Sequence, residues 1–212
     1  MKTEINLNTW NRREYFFHFL NFGDPFCGIT THIDVTKLYQ EAKENGHSFY
    51  FYLLHAILDA ANQYAPMRMR IEESKLYQYD IVNIEVTVGR NDGTFGYAHL
   101  PYFPVRETFI CEALQITEKV KTASGLCFSL FPANRESTLF FSAIPWFDFS
   151  HIKNPYPQTA SDSTPRIITG RPFPSGDRML MAFQLEAHHS VMDGFHIAEY
   201  IRMLSEKTSG EG

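Results

Sequence analysis

"RMLMAFQLEAHHSVMDGFHIAEYIRMLSE", residues 178–206, changes its hydrophobic period once, and that change decides the fold class. In its first part Met179, Met181, Phe183, Leu185 and Ala187 share one face, while Gln184, Glu186 and His188 share the other. That is the two-residue period of a strand. Beyond the glycine, "FHIAEYIRMLSE" carries helical spacing. Gly194 permits a tight turn between them, and Asp193 stands where it caps a helix beginning near Phe195. A strand that turns directly into a helix implies a sheet with helices packed on it.

The rest of the chain fits that reading. A short helix is expected near the start, with Thr9 as its N-cap and Trp10, Phe16, Phe17 and Leu20 near helical spacing. "FCGITTHIDVT" alternates as a strand. Thr36 is expected to cap a second helix that stops at Gly46, and Ser48 to open a third that Pro66 ends. "MRMRIEESKLYQYD" reads as a hairpin, "NIEVTVGR" as a strand before a turn at residues 91–93, and residues 104–123 as a helix striped by Phe109, Ala113, Ile116 and Val120. "STLFFSAIPW" is a strand closed by Pro145, and residues 153–166, rich in Pro and Ser, read as a surface loop. The expectation is one α/β domain over residues 1–212: a two-layer sandwich of a mixed β-sheet covered by helices, rather than a doubly wound fold.

The 212 residues suffice for one well-filled core. Nineteen Phe and eleven Tyr exceed ordinary usage and can line a pocket or subunit interface for flat ligands. A net charge of −5 with dispersed Lys and Arg argues against nucleic acid or an anionic membrane as partner. Cys27, Cys111 and Cys127 form no CxxC and read as buried or half-buried thiols in a reducing compartment. With no signal-peptide core and no membrane-length apolar stretch, a cytoplasmic protein is expected.

"HHSVMDGFH", residues 188–196, concentrates three histidines and an aspartate. Strand alternation places His189 on the apolar face, where partial dehydration disfavours its charged form, and His188 on the more polar one. His196 falls in the first turn of the helix. His189 and His196 thus belong to different elements, and no HExxH-like pair of ligands is present. Three readings stand open on spacing alone: a capped strand-turn-helix with incidental histidines, a metal site, or a general base at a strand end.

The same stretch resembles the HHxxxDG signature of the chloramphenicol acetyltransferases. "WNRREYF" (10–16) is similar to that family's W-x-R-x-x-x-F helix, and "FFSAIPWFDF" (140–149) to its S-x-x-P-W-x-x-F strand. Similarity also runs through "IDVT", the "FY" before the third helix, Thr94 and Phe95, and "GDRMLM", in order and across nearly the whole chain. HxxxDG alone is shared with peptide-synthetase condensation domains, plant acyltransferases and dihydrolipoamide acyltransferase cores; the three segments together are far more specific.

The resemblance implies a homotrimeric, acetyl-CoA-dependent O-acetyltransferase with active sites between subunits and chloramphenicol as acceptor. It makes His189 the general base, Ser142 the hydroxyl donor to the tetrahedral oxyanion, and Asp193 with Arg12 a pair that fixes the turn behind His189. It places Phe19 and Phe95 in the acceptor pocket and Trp146 and Arg171 at the coenzyme, which is a co-substrate, and it implies no metal. Departures fall on the acceptor side: Phe19 stands where many members have tyrosine, Asn154 where they tend to have leucine, and Ile168 where threonine is common, with Thr169 next to it. Ser48 replaces a basic residue near the coenzyme phosphates. The alternatives are the same chemistry on another small alcohol or a thiol, and a non-catalytic protein that binds a hydrophobic ligand.

Overall fold

In the computed structural model, residues 1–132, 137–155 and 162–209 are described. The chain runs β1 (Lys2–Glu4), α1 (Arg13–Phe19), β2 (Phe26–Asp34), α2 (Thr36–Glu44), α3 (Phe49–Gln63), β3 (Met69–Glu72), β4 (Lys75–Tyr79), β5 (Asn83–Gly89), β6 (Phe95–Leu100), α4 (Arg106–Thr122), β7 (Thr138–Ala143), β8 (Arg166–Thr169), β9 (Phe173–Ser175), β10 (Arg178–His188) and α5 (Gly194–Thr208). The main sheet has the order β2-β10-β8-β7-β5-β6, with β9 added beside the start of β10, and β1-β4-β3 form a small second sheet. β5, β7 and β8 are mutually parallel and the other pairings antiparallel. The mixed sheet and its layer of helices make one domain, as the sequence implies.

Strand alternation sorts the main sheet into two unlike faces. Ile84, Val86, Leu139, Phe141, Ile167, Phe183 and Leu185 enter the core together with α2, α3, α4 and α5. α3 is apolar nearly all round because neighbours surround it, α2, α4 and α5 among them. The other face presents Glu85, Thr87, Ser142, Arg166, Gln184 and Glu186. Part of it is covered by the segment after β7, where Gln184 accepts from the Ile152 amide at 3.3 Å and donates to the Ile152 carbonyl at 2.9 Å.

Several local expectations need correction. Thr9 does not cap α1; its amide and hydroxyl both turn back to the Asn6 carbonyl, and the helix starts at Arg13. Asp34, not Thr36, supplies the acceptor at the start of α2, taking the Thr36 amide at 2.9 Å and its hydroxyl at 2.6 Å. Cys111 is exposed, whereas Cys127 is buried and Cys27 half-buried. The expected surface loop at residues 153–166 lies partly outside the described residues. Its end is no surface: Ser163, Pro165 and Arg166 are buried and lead into the interior strand β8, where Ile168 and Thr169 are also buried. The β3–β4 hairpin holds as expected, turning on Glu73 and Ser74, both left-handed at φ 49° and 63°, as a tight two-residue turn between right-twisted strands requires. No helix among the described residues is long and apolar enough to cross a membrane.

Candidate active site

β10 ends at His188, and the residue after it, His189, is still tied to the sheet: its amide donates to the Pro25 carbonyl at 2.8 Å. The imidazole of His189 lies flat against Phe19, centroids 3.9 Å apart and planes 5° from parallel. Its Nδ1 is buried with no hydrogen-bond partner among the described residues. The backbone beneath it is held from α1. Arg12, 8% exposed, donates through Nη2 to the His189 carbonyl at 3.3 Å and through Nη1 to Asp193 Oδ2 at 2.5 Å.

Asp193 does two things at once. Its Oδ1 caps α5, accepting from the amides of Phe195 at 3.0 Å and His196 at 3.4 Å; the Asp193 amide reaches His196 Nδ1 at 3.5 Å to complete a capping box, and the same Nδ1 lies 2.8 Å from Oδ1. Partial burial alone would raise its carboxyl, but the hydrogen bonds from His196 and Arg12 and the Arg12 charge outweigh burial and hold it well below the usual carboxylate range. Ser190, fully buried, adds a third tether by donating to the Phe16 carbonyl at 2.9 Å. Three bonds therefore clamp the 189–193 turn to α1 and to Arg12 at its N-terminus.

His188 differs from its expected environment. Its side of the sheet is closed over, leaving it 2% exposed with Phe26 edge-on at 5.6 Å, and it accepts from the Ser190 amide at 3.2 Å. Burial first, then Arg166 and His189, push its imidazole down to about 4 against the opposing pull of Asp162. His188 is therefore the more dehydrated of the two adjacent histidines. The three histidines of the cluster have three separate settings, and no group of metal-ligand side chains gathers among the described residues.

The remaining residues singled out in the sequence lie at the other end of the sheet. Ser142 sits in β7 beside Thr87 of β5, their hydroxyl oxygens 3.4 Å apart. Phe95 pairs with Gly89 two residues further along β5 and is 45% exposed. Trp146, 68% exposed, follows the end of β7, and Arg171 joins it through its amide, which donates to the Phe147 carbonyl at 2.8 Å. The backbones pack closely here: a Cβ at Gly170 would stand 3.0 Å from that same carbonyl oxygen, so a larger residue would push the two segments apart by a few tenths of an ångström.

Strand register separates the two groups. Ser142 is opposite Ile168, and Ile168 opposite Gln184, five residues short of His189. With strands about 4.8 Å apart and a rise of about 3.3 Å per residue, Ser142 and His189 are roughly 19 Å apart within one chain. Arg12, Phe19, His189 and Asp193 come together; Ser142, Phe95, Trp146 and Arg171 lie at the other end of the sheet, and the two sets do not meet. Sequence reasoning missed Ser190, although it stands between the motif histidines and the capped turn. It also missed Thr87, whose alternation within "NIEVTVG" puts it on the face that carries Ser142.

A cavity of about 260 Å³ adjoins the His189 end, lined by Asp24, Phe26, His151, Lys153, Asn154, Arg166 and Glu186. Its wall is mostly charged or polar, with the Arg166 guanidinium over the Phe26 ring at 3.6 Å.

The family model described as chloramphenicol acetyltransferase matches residues 1–205. "Chloramphenicol acetyltransferase 3" of Escherichia coli is 31% identical over 209 residues, covering 96% of this chain and 95% of that one. "Chloramphenicol acetyltransferase 2" of Escherichia coli is 30% identical over 205 residues, covering 95% and 94%. A solved chloramphenicol acetyltransferase superposes with a TM-score of 0.90 at 25% identity over 98% of this chain and 100% of its own. The dihydrolipoamide acetyltransferase of Azotobacter vinelandii, at 15% identity and a TM-score of 0.66 over 92% and 86% of the two chains, shares the fold.

Proposed function

Because the chain belongs to the chloramphenicol acetyltransferase family and is an acyltransferase, we propose that it transfers acetyl from acetyl-CoA to a hydroxyl of chloramphenicol, with His189 as general base, in a homotrimer whose active sites each draw on two subunits. His189 takes the proton of the acceptor hydroxyl as that oxygen attacks the thioester carbonyl. The new C–O bond makes a tetrahedral oxyanion, toward which Ser142 of an adjoining subunit donates a hydrogen bond, a contribution of about 3 kcal/mol to the barrier. Collapse breaks the C–S bond, and the imidazolium returns its proton to the departing thiolate. Phe19 holds the ring plane of His189, while Arg12 and Asp193 fix the backbone that aims it. Phe95 lines the acceptor side, and Trp146 with Arg171 meets the coenzyme.

The observation that carries this reading is the setting of His189, a half-buried imidazole with its ring stacked, its carbonyl held and its amide bonded. Such restraint suits a group that must meet a substrate proton at a set angle, and a passive ligand-binding pocket has no need of it. The two separated half-sites support assembly, since one chain alone cannot present His189 and Ser142 to the same acetyl group. Another small alcohol is a second acceptor, because the hydroxyl that a tyrosine would bring to the acceptor pocket is absent at Phe19. Following free thiol release from acetyl-CoA with chloramphenicol and with a panel of hydroxyl compounds separates these acceptors. Tight chloramphenicol binding without thiol release from any acceptor would refute catalysis altogether.

A further inference from the structure

One hydroxyl outside the proposed machinery touches Ser142. Val86 of β5 lies beside Phe141 of β7, so one step along the parallel pair brings Thr87 and Ser142 side by side on the polar face of the sheet. Their oxygens are 3.4 Å apart, either can donate, and neither has another hydrogen-bond partner among the described residues. Both side chains are half-buried. On the far side of Thr87, Tyr97 is its direct partner in β6 and stacks on Phe128 at 5.4 Å, so an aromatic wall flanks the two hydroxyls.

We propose that Thr87 is a positioning residue for Ser142, donating its proton to Ser142 Oγ so that the serine proton is left to the oxyanion. The inference rests on the reading of Ser142 as oxyanion donor. A serine hydroxyl has one proton and two acceptor lone pairs. If Ser142 donated to Thr87 at rest, that proton would have to swing away as the oxyanion forms. With the polarity reversed, one lone pair is occupied, the O–H is polarised by the bond it accepts, and the proton is already directed outward. At 3.4 Å the contact is long for two hydroxyls, and it shortens as charge develops, as catalytic hydrogen bonds of unliganded enzymes do.

The test is a double-mutant cycle on acetyl transfer by the full-length protein. Thr87→Val, which keeps the shape and loses the hydroxyl, is expected to lower kcat about fivefold with both KM values unchanged. Thr87→Ser returns kcat to within about twofold of wild type, as expected if the hydroxyl alone matters. Thr87→Ala, which removes the same hydroxyl without the valine methyl, follows Thr87→Val. In a Ser142→Ala background Thr87→Val costs nothing further, because its only route of action is gone. Wild-type kcat in Thr87→Val and Thr87→Ala, a change confined to KM, or a full additional loss on top of Ser142→Ala would each overturn the proposal. Ser142→Ala turning over like wild type would instead overturn the reading of Ser142 beneath it.

Discussion

Splitting the proposed site between two chains has a quantitative consequence for mixed oligomers. His189→Ala removes the proposed base, expected to cost about 10² to 10⁴ in turnover, and Ser142→Ala removes the proposed oxyanion donor, expected to cost about 10² to 10³. The strand register keeps these residues about five residues' rise and two strand spacings apart in one chain. In a cyclic trimer holding both variants, each interface joins the His189 end of one chain to the Ser142 end of the next. Whether the ratio is two to one or one to two, a single interface combines an intact histidine with an intact serine. Hybrids carrying both variants, separately tagged, refolded together and purified through both tags, are therefore predicted to recover about one third of wild-type activity per chain; a two-fold dimer would give about one half. Free thiol release from acetyl-CoA is the assay, with wild type refolded in the same way as reference. Hybrid activity no higher than the average of the two pure variants would refute the shared site, because no chain in the mixture carries both residues.

Three further outcomes follow from the clamp around His189. Asp193→Asn keeps an N-cap oxygen on α5 but leaves the nearly buried Arg12 without its carboxylate; urea denaturation should show a loss of about 2 kcal/mol, with kcat reduced more than either KM. His188 makes stability acid-sensitive: the unfolded chain takes up a proton near pH 6.5 that the folded chain refuses until about pH 4, so stability is complete above pH 6.5 and falls as pH drops, by up to roughly 3 kcal/mol. In denaturation curves across that range His188→Gln should flatten the slope, and Asp193, whose carboxyl is held low, should add to the slope only below about pH 4, where its stabilisation, complete above that pH, begins to be lost. Phe19→Leu preserves apolar volume but removes the flat surface under the imidazole; kcat should fall about tenfold with little change in acetyl-CoA KM, and an unchanged kcat would show that the stack does not position His189.

The parts of the fold legible in the sequence are those governed by near-neighbour periodicity. β10 and α5 each bury one continuous apolar face, so the strand-turn-helix at residues 178–208 could be read directly, including the Asp193 cap. β8 could not: it is four residues long and follows a Pro- and Ser-rich stretch whose composition suggests a loop. The environment of His188 is hidden from the sequence for a related reason. Alternation puts it on the polar face, but that face is closed by Phe26 and carries Arg166, and a strand pattern holds no information about what lies over it. The Arg12–Asp193 pair joins residues 181 positions apart. No spacing rule reaches that far, and it was foreseeable only because three motifs occur together in the order the family shows. The role of Thr87 is not legible in the sequence, because alternation gives its face but not the parallel register that sets it beside Ser142.

The central claim, that His189 is the base for acetyl transfer, is tested most directly by comparing kcat for wild type, His189→Ala and His189→Gln with acetyl-CoA and the best acceptor, alongside acetyl-CoA and acceptor binding by the same proteins. The account predicts that both variants fold and bind both substrates with affinities near wild type while kcat falls by about 10² or more. Variants that retain turnover within a few-fold of wild type, or that lose binding and turnover in equal measure, would contradict it.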